Sequence, residues 1–151
     1  DERTLADHLR AAGYATGMWG KWHLGHAEDY FPWQRGFDEA WACDLYRHRD
    51  ASGLFNGKPV KTSSWADAAM ADYAIDFIRR NAGRPFLAYL PTMTPHGPLD
   101  APEEWVEFYR KKGHSESLSK LWGMVSALDA QIGRVLRTLD EEGLRNRTVV
   151  V

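Results

Sequence analysis

The chain holds a single cysteine, Cys43, in 151 residues. An internal disulfide is therefore excluded, and cysteine usage leaves the compartment open. An excess of positive charge is also lacking: 19 Lys and Arg stand against 21 Asp and Glu, for a formal net charge of -2. That balance argues against a nucleic-acid or membrane-surface role resting on bulk charge. No apolar run is long enough to span a membrane, and no secretory leader pattern opens the sequence. The first residue is not Met. The chain starts at Asp1-Glu2-Arg3-Thr4 and stops at Thr148-Val149-Val150-Val151, inside what reads as a strand. The expectation is an internal piece of a longer protein.

What is present fits one globular domain of ordinary size, with 44% hydrophobic and 26% charged residues. The 7 Trp residues either fill a core or line a cleft. Thr4 with Asp7 reads as the capped start of a helix with Leu5, Leu9 and Ala12 on one face, ended by Gly13. His8 lies on it as a solvated or packed residue. Tyr14 to Trp19 reads as a strand. From His26 to Ser63 the pattern breaks into a long, mostly irregular excursion punctuated by Pro32, Gly36, Gly53, Gly57 and Pro59, with a small hairpin at Asn56-Gly57. Ser64 with Asp67 reads as the start of the next helix, whose Ala66, Ala69, Met70, Tyr73, Ala74, Phe77 and Ile78 recur at helical spacing. Phe86 to Leu90 reads as a buried parallel strand. A short helix follows Pro102, then a long one with Leu118, Leu121, Trp122, Val125, Leu128, Ile132, Val135, Leu136 and Leu139 on one stripe. Thr148 to Val151 reads as a third strand. The alternation implies an α/β fold, a mainly parallel sheet with helices on both faces, incomplete in this chain.

Gly20-Lys21-Trp22-His23-Leu24-Gly25 carries the chemistry. Lys21 offers a compact positive charge and His23 a proton near neutral pH, between glycines that let backbone approach a ligand. In an extended segment Lys21 and His23 point one way while Trp22 packs the other. A Lys-x-His pair taken alone is more often a solvated loop than a site. His96 sits in Pro91-Thr92-Met93-Thr94-Pro95-His96-Gly97-Pro98, a stiff turn just past a strand, where open α/β sheets gather ligands. The cluster Asp44, Tyr46, Arg47, His48, Arg49 and Asp50 is within the reach of a loop to a substrate but reads first as a solvated loop. His23-x-x-His26 has the look of a metal pair, yet no Cys or carboxylate cluster supports it.

Gly13-Tyr14-x-Thr16 followed by Gly20 to Gly25 resembles the second signature of the type I sulfatases, formylglycine-dependent arylsulfatase-like members of the alkaline phosphatase superfamily. The Thr-Pro-His turn at Thr94 to His96 and Arg35-Gly36-Phe37-Asp38 also resemble that family, with Phe37 packing and Asp38 capping or pairing. The resemblance implies hydrolysis of a sulfate monoester to an alcohol or phenol and sulfate, with a calcium ion and a formylglycine nucleophile. Carried over, Lys21 holds the sulfate or the nucleophile's oxygen, His23 contacts the formylglycine hydroxyl, and His96 binds sulfate and acts as general acid. Lys21, His23 and His96 are thus the expected catalytic residues, with Lys21 and His96 also binding substrate.

Cys43-Asp44-Leu45-Tyr46-Arg47 lacks the Pro or Ala of the formylglycine motif and follows the signature rather than preceding it. Cys43 reads as an ordinary thiol. Residues 1–151 are then expected to be the internal part of one catalytic domain, without its N-terminal nucleophile and metal segment or its C-terminal metal segment. No metal ligand is expected from this chain, and alone it is expected to be inactive. Phosphodiester or phosphonate hydrolysis within the same superfamily and a non-catalytic fragment or inactive paralogue remain open. So do aryl, steroid and polysaccharide sulfates as substrates. The resemblance leans to a secreted, periplasmic or lysosomal setting.

Overall fold

A computed structural model describes residues 2–25 and 27–151. The strand expected after Tyr14 is β1, Ala15–Lys21, and all of it but Lys21 is buried. β2, Glu39–Cys43, lies parallel to β1 with Lys21 opposite Cys43. β5, Phe86–Tyr89, lies parallel on the other side of β1. β3, Ser52–Phe55, and β4, Lys58–Lys61, form a hairpin that adds antiparallel to β2. The order of this five-stranded sheet is β4-β3-β2-β1-β5. The Asn56-Gly57 turn is where the sequence places it; both residues have positive φ, 44° and 81°, as the tight hairpin turn demands.

Side chains alternate across β1 and feed two layers. Trp19 and Trp41 face one way, onto α2, Ala66–Arg80, with Met70 and Phe77. Met18 and Ala40 face the other way with Trp22, Phe37 and Ala6 of α1, Leu5–Ala11. Helices therefore cover both faces, as expected. α4, Glu116–Glu141, backs α2 through Leu128 and Val135, and α3, Glu103–Arg110, packs on α4.

Several expectations are corrected. The excursion after His26 is not mostly irregular. It supplies β2, which reads poorly in sequence because Glu39-Ala-Trp-Ala-Cys is short and buried on both faces. Thr148 to Val151 form no strand. A 3-10 turn at Arg145–Arg147 precedes them, and Val149 to Val151 are exposed. Thr4 caps α1 in a full capping box with Asp7, but Leu5 is exposed and Ala6 is the buried residue. α2 has no side-chain cap: the Ala66 N–H donates to the His48 carbonyl at 2.8 Å, and Asp67 turns elsewhere. On α4 the buried set is Ser119, Gly123, Met124, Thr138 and Leu139, while Leu118, Trp122, Val125 and Ile132 stay exposed.

Candidate functional site

β1, β2 and β5 run in one direction, so their carboxyl ends form one edge of the sheet. Lys21 closes β1 at that edge, half-buried, and His23 follows two residues on, exposed. Trp22 between them is buried, edge-on to Phe37 with ring centroids 6.4 Å apart, and its indole N–H donates to the Tyr30 carbonyl at 2.9 Å. The packing expected of Trp22 is therefore found. His26 of the considered metal pair lies outside the described residues.

His96 stands in the turn after β5. A backbone contact joins this turn to β1: the Lys21 N–H donates to the Pro91 carbonyl at 2.7 Å. Gly20 makes the approach possible. Its φ is +134°, and a Cβ there would lie 2.2 Å from the Pro91 oxygen. Lys21 and His96 are thus carried by neighbouring strands whose exits are tied together. Among the described residues no hydrogen bond links Lys21, His23 and His96 to one another.

The His96 turn is held by residues whose part in it the sequence did not show. The Asp67 carboxylate, in the first turn of α2, accepts the Thr94 hydroxyl at 2.5 Å and lies near the backbone N–H groups of Met93 and Thr94. Burial raises the Asp67 carboxyl above the ordinary Asp value, against these contacts and the nearby His48, which lower it. The His48 imidazole is 4% exposed and its Nε2 lies 2.8 Å from the His96 carbonyl oxygen, an acceptor, so Nε2 carries the proton. The Thr92 hydroxyl donates to the Thr94 carbonyl at 3.0 Å, and the His96 N–H to the Met93 carbonyl at 2.9 Å. His96 Nδ1 lies 2.7 Å from the Gly97 carbonyl, which makes Nδ1 the protonated nitrogen and turns Nε2 outward as the free ring atom. The Tyr46 ring lies against the imidazole, centroids 4.9 Å apart. An acid in the first turn of a helix that carries no cap was the available signal for Asp67; for His48 it was the unrecognised β2, which makes residues 44–50 a strand-end loop.

Cys43 ends β2 at the same edge, buried and free. Burial first, then the Asp67 and Asp44 carboxylates, push its thiol up to about 12, while the Lys21 ammonium opposes the rise. A thiol held protonated is no nucleophile at neutral pH, in keeping with its reading as an ordinary residue. As for a cation, among the described residues no three His, Cys, Asp or Glu side chains gather to hold one. Three carboxylates at this edge are engaged otherwise: Asp44 accepts the Ser52 hydroxyl, Asp67 accepts Thr94, and Asp100 pairs with Arg49. The described residues do not by themselves fit a calcium site.

The family model of the sulfatases matches residues 1–151. The chain belongs to the sulfatase family. An uncharacterized sulfatase of Schizosaccharomyces pombe is 33% identical over 135 residues, 70% of this chain and 23% of that protein. The arylsulfatase of Klebsiella aerogenes is 26% identical over 211 residues, 98% of this chain and 46% of that one. Among solved structures, a protein in complex with a neocarrahexaose matches at TM-score 0.85 and 24% identity, over 94% of this chain and 37% of the other. At that identity the likeness shows the sulfatase fold alone. The chain spans less than half the length of these relatives.

Proposed function

We propose that this sulfatase chain is the sulfate-gripping part of a sulfuric ester hydrolase that cleaves a sulfate monoester to an alcohol or phenol and sulfate, and that residues 1–151 are the internal portion of its catalytic domain. The observation carrying this reading is the pairing of Lys21 and His96 on the tied exits of adjacent parallel strands. A fixed ammonium at Lys21 holds sulfate oxygens by charge-assisted hydrogen bonds and offsets charge as the ester bond lengthens. As an imidazolium, with its Nδ1–H held by the Gly97 carbonyl, His96 donates its Nε2 proton to the leaving oxygen, a role that needs an aimed imidazole. The Asp67 and His48 anchors supply that aim. His23, exposed beside Lys21, contacts the attacking group and moves its proton. Calcium and the formylglycine nucleophile that the family implies find no holder among the described residues of this chain, so the reading assigns binding, orientation and proton transfer to it and nothing more. Sulfated carbohydrates and small aryl sulfates are both admitted as substrates. A relative in Formosa agariphila is described as ulvan-active, and a structural relative binds D-glucosamine-2-N,6-O-disulfate.

The test uses the full-length protein with 4-nitrophenyl sulfate and bis(4-nitrophenyl) phosphate. Cleavage of the sulfate ester, lost in Lys21→Ala and His96→Ala, supports the reading. Preference for the phosphodiester moves the chain to a different hydrolase class, and cleavage of neither moves it to a non-catalytic role. The 151-residue polypeptide alone is expected not to turn over.

A further inference from the structure

Among the described residues, Arg47 carries a charge at the site edge that has no ion-pair partner. The loop between β2 and β3 is closed at its base, where the Asp44 N–H donates to the Ser52 carbonyl at 2.7 Å. Its other large polar groups are engaged: His48 points inward to the His96 carbonyl, and Arg49 pairs with Asp100 at 3.2 Å and lies over the Trp65 ring at 4.6 Å. Arg47 is exposed, with only a 3.5 Å contact from its Nη1 to the Asp50 carbonyl. Among the described residues it forms no ion pair. Beside it Tyr46 has φ 66°, a left-handed backbone that a bulky side chain rarely adopts. That conformation accompanies a phenol ring set against the His96 imidazole and 46% exposed. Tyr46, Arg47, Asp50 and Pro98 line an open groove of about 350 Å³.

The geometry points to a leaving-group subsite made by Tyr46 and Arg47. Tyr46 takes the ring of the alcohol or phenol bonded to sulfate, and Arg47 takes a second anionic group, carboxylate or sulfate, on that ring. The inference rests on the sulfatase reading, because His96 as general acid places the leaving group next to Tyr46. A planar guanidinium suits either anion by paired hydrogen bonds. In an open groove its attraction is weakened by salt. Asp50, on the same loop, opposes an incoming anion.

The experiment compares kcat/KM of the full-length protein for 4-nitrophenyl sulfate and for 2-nitro-5-sulfooxybenzoate, the same ester with a ring carboxylate. The readout is the ratio of the second to the first. Arg47→Ala is expected to lower that ratio about tenfold, chiefly through KM, with Arg47→Lys in between. Asp50→Asn is expected to raise it, and salt to bring the wild-type ratio toward that of Arg47→Ala. A ratio unmoved by Arg47→Ala in a protein that cleaves both esters overturns this inference and leaves the sulfatase reading standing. Wild-type protein that cleaves neither overturns both.

Discussion

The loop after β1 and the turn after β5 leave neighbouring parallel strands at the same edge, one bearing His23 and the other His96. They are anchored by different forces. The first hangs on one apolar side chain, Trp22, with a single hydrogen bond to the Tyr30 carbonyl, while Leu24 at its tip is 70% exposed. The second is netted by directional polar contacts from Asp67, His48 and Thr92. Packing fixes where a segment sits but is non-directional, whereas hydrogen bonds fix how it is turned. A proton donor, the role proposed for His96, needs orientation, and its turn has it. His23 sits on a segment placed by packing rather than by such a net.

The largest test of this difference is chemical. In the full-length protein His96→Ala is expected to cut kcat/KM at least about 100-fold, the ordinary worth of a positioned general acid. A smaller loss there than in His23→Ala would invert the assignment of the aimed group. Next comes the joint that both segments share. Gly20→Ala combines φ +134° with a Cβ driven against the Pro91 oxygen, and a loss of about 2–3 kcal/mol is expected in denaturant unfolding. A change under about 0.5 kcal/mol would mean that the two exits are not coupled there. Asp67→Ala orphans the Thr94 hydroxyl, at a cost of about 1–3 kcal/mol. Amide exchange should quicken at 93–96 and not at 22–25; quickening of both would abolish the contrast. Trp22→Phe keeps an aromatic ring and drops the bond to Tyr30, costing about 1 kcal/mol, with faster exchange confined to 22–25.

The smallest effect is electrostatic. The Asp67 carboxyl is raised in the fold by burial, so the native state holds that proton more tightly than the unfolded chain. The stability it contributes is complete below the ordinary value of 3.8 and is lost as pH rises through the raised one. Thermal unfolding of wild type should therefore show, relative to Asp67→Asn, a decline over that window. Parallel curves would mean that Asp67 is not desolvated.

The parts of this architecture with local signals were legible. Thr4 and Asp7 announce α1 through a reciprocal cap, and the α2 stripe from Ala66 to Ile78 is buried almost as spaced. Asn56-Gly57 announces its hairpin by the backbone it requires. The placement of the candidates Lys21 and His96 at strand exits was legible, because alternation of helix and strand implies a mainly parallel sheet. The Asp67–Thr94 contact was not, since it joins residues 27 apart in the chain through a turn whose path no local pattern encodes. His48 was hidden for a similar reason. Its run of charged neighbours looks solvated, and burial of one imidazole among them follows from the His96 carbonyl lying overhead. The stripe on α4 misled by breadth: nine apolar positions were read as one face, but the contacts of α2 and α3 cover a band offset toward Ser119, Gly123 and Met124.

β5 has a consequence for anyone handling the polypeptide in a test tube. Its ladder partner among the described residues is β1, on one side, so the row of N–H and C=O groups along Phe86 to Tyr89 faces outward. A bare strand rim of that kind templates pairing with other chains, and the exposed Leu118, Trp122, Val125 and Ile132 of α4 add an adhesive patch. A preparation of the 151 residues is expected to be colloidally fragile, single at high dilution and clumping as it is concentrated. The protein concentration then becomes an experimental variable in its own right for light scattering and for every unfolding curve recorded on it.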